Sequence, residues 1–128
     1  MPSDSQEKAS SIKILIVEDN LRDFQLMEAI LSQQFACAIQ LATTQKEYEA
    51  KLVEDRPDVI VCDSNFFAFD GTAALHIAKA KCPEIPFIFC CGYFSETVSA
   101  EARAQGVPCI LKDAGFTGLV REIKSRFP

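Results

Sequence analysis

Short apolar runs alternate along this chain with stretches whose apolar residues recur every three or four positions. The first run, Ile12-Lys13-Ile14-Leu15-Ile16-Val17, reads as a buried strand. Asn20 is then a candidate N-cap, and Leu21, Phe24, Met27 and Leu31 share one face of a helix predicted to reach about Gln34. Cys37 to Ala42 predicts a second strand. Thr43-Thr44 opens a second helix with Tyr48 and Leu52 inward. Arg56-Pro57 ends that helix, because the residue ahead of a proline is pushed out of the α region. Val59-Ile60-Val61-Cys62-Asp63 is a third strand, apolar throughout until it stops in a carboxylate. An irregular stretch from Asp63 to Asp70 leads into a helix near Gly71, with Ala74, Leu75 and Ala78 inward and Pro83 closing it. Pro86 to Cys91 predicts a fourth strand, and either Ser95 or Thr97 starts a fourth helix that ends at Gly106. The apolar face of that helix is little more than Val98 and Ala102, so it should be weakly held and able to shift. Cys109-Ile110-Leu111 and a last helix from about Gly115, burying Leu119, Val120 and Ile123, complete a (βα)₅ pattern.

Strands that alternate with helices predict a doubly wound α/β fold, in which parallel strands put their carboxyl ends on one edge. Two of these strands end in acids, Glu18-Asp19 after the first and Asp63 after the third. Three carboxylates gathered at one edge repel one another unless a hard, oxygen-loving cation joins them, which points to a Mg²⁺-type site centred on Asp63. The Asn65 main-chain carbonyl, two residues further on, is a candidate additional oxygen ligand. Near a divalent cation, a strand-end aspartate can attack phosphorus, since the metal offsets the negative charge of both partners. Lys112 follows the fifth strand at the same edge, where its ammonium can bond a carboxylate and later a phosphoryl oxygen.

Composition narrows the setting. A chain of 128 residues, 48% hydrophobic, makes one domain, read here as residues 12–128 behind a loose polar tail, Met1 to Ser11. Its 13 basic and 18 acidic residues leave a net charge of -5 with no Lys/Arg cluster, which argues against direct nucleic-acid binding. No stretch has the length of a membrane span, and the start lacks the apolar core of a signal peptide, so a cytoplasmic protein is expected. Cys37, Cys62, Cys82, Cys90, Cys91 and Cys109 show no C-x-x-C spacing and read as reduced, mostly buried thiols.

Taken together, Val17-Glu18-Asp19-Asn20, the strand ending in Asp63, Asp70-Gly71 and Ile110-Leu111-Lys112 resemble a response-regulator receiver domain of two-component systems, over nearly everything from Ile12 to Phe127. The resemblance implies a flavodoxin-like three-layer sandwich with strand order 2-1-3-4-5. It implies that Asp63 takes a phosphoryl group from a sensor histidine kinase or a histidine phosphotransfer protein. It also implies that Glu18, Asp19, Asp63 and the Asn65 carbonyl hold Mg²⁺, and that Lys112 contacts the phosphoryl group. The departures are specific. Cys91, a far weaker hydrogen-bond donor, stands where such domains carry Ser or Thr against the phosphoryl oxygen, and Cys109 stands at the switch position usually held by Tyr or Phe. Asp113 replaces the usual proline after the lysine, so a trans bond is expected there, and Phe67 replaces a common loop proline. A phosphorylation site with a weakened relay is the expectation.

Other functions compete on definite residues. A Mg²⁺-dependent phosphohydrolase of the haloacid dehalogenase type needs a second acid two residues after its nucleophile, where this chain has Asn65. A flavodoxin-like electron carrier needs a phosphate loop after the first strand, where Glu18-Asp19 would repel the ligand. A phosphorylation-independent interaction module is kept open by Cys91 and Cys109. His76 reads as a surface or packing residue, and Phe66, Phe67, Phe69, Tyr93 and Phe94 gather aromatics near the site, some of them possible anchors for a partner. No effector segment follows Pro128 in this sequence, so output is expected from an unknown partner, from self-association as a homodimer, or from a further region of a longer protein.

Overall fold

A run such as Ile14-Leu15-Ile16-Val17 points side chains alternately to both faces of a sheet and so requires cover on both sides. The computed structural model supplies it; residues 11–64, 71–93 and 95–128 are described. Five parallel strands lie in the order β2-β1-β3-β4-β5: β1 (Ile12–Val17), β2 (Cys37–Ala42), β3 (Val59–Cys62), β4 (Phe87–Cys91) and β5 (Cys109–Leu111). Between and after them run α1 (Leu21–Gln34), α2 (Gln45–Glu54), α3 (Gly71–Lys81), α4 (Glu96–Gln105) and α5 (Thr117–Arg126). The doubly wound sandwich expected from the sequence is the fold observed.

Alternation along the strands divides the core in two. Ile14, Ile16, Val59, Val61, Ile88 and Cys90 pack with Met27 and Leu31 of α1 and Leu119 and Ile123 of α5. Leu15, Val17, Ile60, Cys62, Phe87 and Phe89 face the other way, onto Tyr48 and Leu52 of α2, Ala74, Leu75 and Ala78 of α3, and Val98 and Ala102 of α4. The Tyr48 hydroxyl donates to the Ala74 carbonyl at 2.6 Å, so its one polar atom is satisfied inside that layer. All six cysteines are free thiols. No described helix is long and apolar enough to cross a membrane.

Several boundaries differ from expectation for local reasons. Leu21, expected inward, is 60% exposed, and only from Phe24 onward does α1 rest on the sheet. Ser95, rather than Thr97, caps α4, its side chain accepting from the Val98 amide. Helix α5 begins at Thr117, two residues later than predicted. Phe116 precedes it in the left-handed conformation at φ 49°, yet its ring is buried, so packing offsets the backbone cost. Asp113 organises that turn by accepting from the Thr117 amide at 2.8 Å and from the Thr117 hydroxyl. No peptide bond among the described residues is cis, the one joining Lys112 to Asp113 included.

Candidate functional site

In the strand order, β1 has β2 on one side and β3 on the other, so the chain reverses direction across the sheet between β1 and β3. That is where a crevice opens beyond the strand ends. The register sets Val17 beside Ala42 and Cys62, and Cys91 beside Leu111. Each next residue extends the ladder by one bond: Glu18 N to Ala42 O at 3.2 Å, Asp63 N to Val17 O at 2.9 Å, and Lys112 N to Cys91 O at 2.8 Å. The charged residues thus have their backbones fixed by the sheet, with only side-chain torsions left free.

The arrangement places Glu18, Asp19 and Asp63 so that one carboxylate oxygen from each lies within 4.8 Å of the others. Glu18 and Asp63 are buried, at 1% and 6% exposure, whereas Asp19 is exposed. Glu18 Oε2 accepts the Asn20 amide at 3.1 Å, which aims its carboxyl into the crevice. Lys112 Nζ reaches across to Glu18 Oε1 at 3.0 Å and stands 3.6 Å from Asp63 Oδ2, an ion pair too long for a good hydrogen bond. Its shortest bond, 2.7 Å, goes to Asp23 Oδ2 on the first turn of α1. Asn20 holds that turn in place as N-cap, its Oδ1 accepting the Asp23 amide at 3.0 Å.

Charge balance follows from this geometry. Burial, and then the hydrogen bond and like charge of Asp63, push the Glu18 carboxyl up to about 7, with Lys112 pulling the other way. Near neutral pH, Glu18 is therefore poised between acid and carboxylate. Burial works against the Lys112 ammonium, but bonds to Asp23 and Glu18 and the charges of Asp63 and Glu18 outweigh it, so its affinity for the proton is raised. Three hard oxygen donors that repel one another suit a hard divalent cation of the Mg²⁺ type. The mouth of the site, about 270 Å³, is lined by Asp19, Asn20, Asp23, Asp63, Gly92, Tyr93 and Lys112. Tyr93 is 65% exposed at this rim.

At the start of α3, Gly71 sits in close approach: a Cβ there would meet the Ser64 Cα at 3.2 Å and a Phe89 ring carbon at 3.3 Å, so a side chain fits only if these neighbours give way slightly. The Cys91 thiol is buried; it is directed to the Ile110 carbonyl at 3.6 Å and lies 3.6 Å from Cys109 Sγ. Burial, followed by the contact with Cys91, pushes the Cys109 thiol up to about 12, so it stays protonated. Cys109 also lines a surface groove of about 350 Å³ with Ser99, Ala102, Arg103 and Val107. His76 is exposed and bridges α3 to α4 by pairing with Glu101 at 2.7 Å, a surface role as expected. Asn65, Phe66, Phe67, Phe69, Asp70 and Phe94 lie outside the described residues. Sequence reasoning missed Asp23, an acid in the first turn of α1 that the sequence alone does not set apart.

The family model described as "Response regulator receiver domain" matches residues 14–124. The chain belongs to that family. This receiver domain is 27% identical over 110 residues to the transcriptional regulatory protein ZraR of Escherichia coli K12, covering 85% of the chain and 25% of ZraR. It thus spans about a quarter of the length of the curated relatives it matches. Among solved structures, it is similar to the receiver domain of a DNA-binding response regulator from Colwellia psychrerythraea 34H, at 25% identity and TM-score 0.80, over 90% of this chain and 97% of that one. A CheY-like receiver domain from Methanospirillum hungatei JF-1 gives 25% identity and TM-score 0.81, over 91% and 93%. The cyanobacterial phytochrome response regulator RcpA, solved in its phosphorylated form, gives 25% and 0.74, over 91% of each chain. The chain is accordingly a receiver domain of two-component signalling.

Proposed function

We propose that Asp63 accepts a phosphoryl group from the phosphohistidine of a sensor histidine kinase or a histidine phosphotransfer protein, and that the result is read through changed protein contacts. The observation that carries this reading is the meeting of Glu18, Asp19, Asp63 and Lys112 at one sheet edge, with the backbones of Glu18, Asp63 and Lys112 fixed by the ladder. In the transfer, an Asp63 carboxylate oxygen forms a bond to phosphorus as the phosphorus–nitrogen bond to imidazole breaks and the imidazole takes up a proton. Glu18, Asp19, Asp63 and the Asn65 carbonyl would hold Mg²⁺, which supplies neutralisation of two anionic reactants. Lys112, already 3.6 Å from Asp63, bonds a phosphoryl oxygen once the group has arrived. Cys91 occupies the phosphoryl-sensing position and Cys109 the switch position. A cytoplasmic setting goes with this reading and with six free thiols.

The thiol pair favours one second reading. Because Cys91 is directed at β5 and Cys109, the face of α4, β5 and α5 would be recognised by an output partner, or by a second copy, whether or not Asp63 is modified. The deciding experiment treats the protein with acetyl phosphate and Mg²⁺ and resolves it on a phosphate-affinity gel. A retarded band in the parent that is absent from Asp63→Asn supports phosphoryl transfer. No retarded band in the parent contradicts it and leaves the second reading.

A further inference from the structure

We propose that Asp23 is a positioning residue that restrains phosphoryl uptake, by holding the Lys112 ammonium on the α1 side of the site and by placing an additional negative charge at its mouth. This rests on the reading that Asp63 is the acceptor. An ammonium has three donors. One goes to Asp23 at 2.7 Å and one to Glu18 at 3.0 Å, whereas Asp63 is reached only at 3.6 Å. The shortest and most direct partner of the lysine is thus a residue outside the acidic cluster that would hold a cation. Asp23 is itself held: Asn20 caps its amide, and its side chain, about a third exposed, borders the same opening as Asp63. Asp23 thus stands at the opening through which Asp63 is reached among the described residues.

Two effects of Asp23 therefore act in the same direction. Its charge repels the incoming donor, and its bond draws the ammonium toward α1, away from Asp63 and the arriving phosphoryl oxygens. Removing one charge about 5 Å from the path of an anion, in a water-filled mouth, changes the rate by about three- to fivefold. At about 1 M salt, where the screening length falls to about 3 Å, most of that difference should vanish.

The test compares the parent, Asp23→Asn and Asp23→Glu for the rate of labelling by acetyl phosphate at saturating Mg²⁺, in low salt and at about 1 M salt. Asp23→Asn is expected to label about three- to fivefold faster in low salt, with the ratio shrinking toward one in high salt. Asp23→Glu, which restores the charge, should label at close to the parent rate. A merely structural role predicts something different, since losing an acid from the first turn of α1 weakens the helix slightly and would slow labelling or leave it unchanged at both salts. If Asp23→Asn labels no faster than a parent that does label, the assignment of Asp23 fails while Asp63 stands as acceptor. If the parent itself takes no label, both fail.

Discussion

Lys112→Met replaces the cation at the centre of the site with an apolar chain of similar length, leaving Glu18 and Asp63 buried without their counter-charge. Removing one partner of a buried ion pair costs about 3 to 5 kcal/mol, because the other charge stays uncompensated. Here the loss is reduced twice. Asp23 is about a third exposed and recovers hydration, and Glu18 can take up a proton. About 2 to 3 kcal/mol at pH 8 without divalent metal is therefore expected, or roughly 10 °C in Tm for a domain of this size. The pH dependence carries a definite sign. The Glu18 carboxyl is raised in the folded protein from 4.5 to about 7, by burial first and Asp63 second. Its contribution to stability is thus fully present below pH 4.5 and is lost as pH climbs through 7. Without Lys112 pulling that value down, the loss steepens, so the gap between variant and parent should widen from pH 5 to pH 8. Urea unfolding of both proteins across that range, in EDTA, measures it. A gap below about 0.5 kcal/mol at pH 8, the scale of an exposed ion pair, or a gap larger at pH 5, would refute the picture of a lysine neutralising buried acids.

Further expectations concern the metal, the start of α3 and the two thiols. At tenfold excess over a millimolar dissociation constant, Mg²⁺ should stabilise the fold by about 1.4 kcal/mol, several degrees in a melting curve; coincident curves in Mg²⁺ and EDTA would count against a cation site. Gly71→Ala should cost about 1 kcal/mol in urea unfolding, because a Cβ there meets the Ser64 backbone at 3.2 Å; an unchanged midpoint would show that α3 yields easily. Cys91→Ser combined with Cys109→Tyr should enlarge the phosphorylation-dependent chemical-shift changes in α4, since the hydroxyl is a stronger donor and the groove beside Cys109, about 350 Å³, has room for a ring. Equal responses in parent and double variant would mean that the switch runs by another route.

What could be read from the sequence follows from which residues are constrained on both sides. Val59 to Cys62 is apolar without a break because helices cover both faces of β3, and the same pressure makes the polar stop at Asp63 conspicuous. Glu18 and Asp63 were legible for that reason, each being the first charged residue after a buried run, whereas Lys112 follows the partly exposed β5 and was legible only as the charge that ends Cys109-Ile110-Leu111. Leu21 misled because helical periodicity does not show where a helix first meets the sheet. The start of α5 was misplaced because glycine is the usual left-handed residue, whereas here Phe116 takes that conformation under the pressure of burying its ring. Asp23 was hidden in plain composition, since an acid in a first helical turn is ordinary. Only the reach of Lys112 across from β5 shows what it does. Likewise, the cysteines at 91 and 109 were visible as substitutions, but their mutual approach at 3.6 Å depends on the diagonal between β4 and β5.

The central claim is that Asp63 itself carries the phosphoryl group, and borohydride reduction tests it directly, because an aspartyl phosphate is reduced to homoserine and an unmodified aspartate is not. After treatment with acetyl phosphate and Mg²⁺, reduction and digestion, tandem mass spectrometry should place homoserine at position 63, and the signal should disappear when EDTA replaces Mg²⁺. Homoserine at position 19 or 23 instead, or at no position in protein shown to be labelled, would contradict the account.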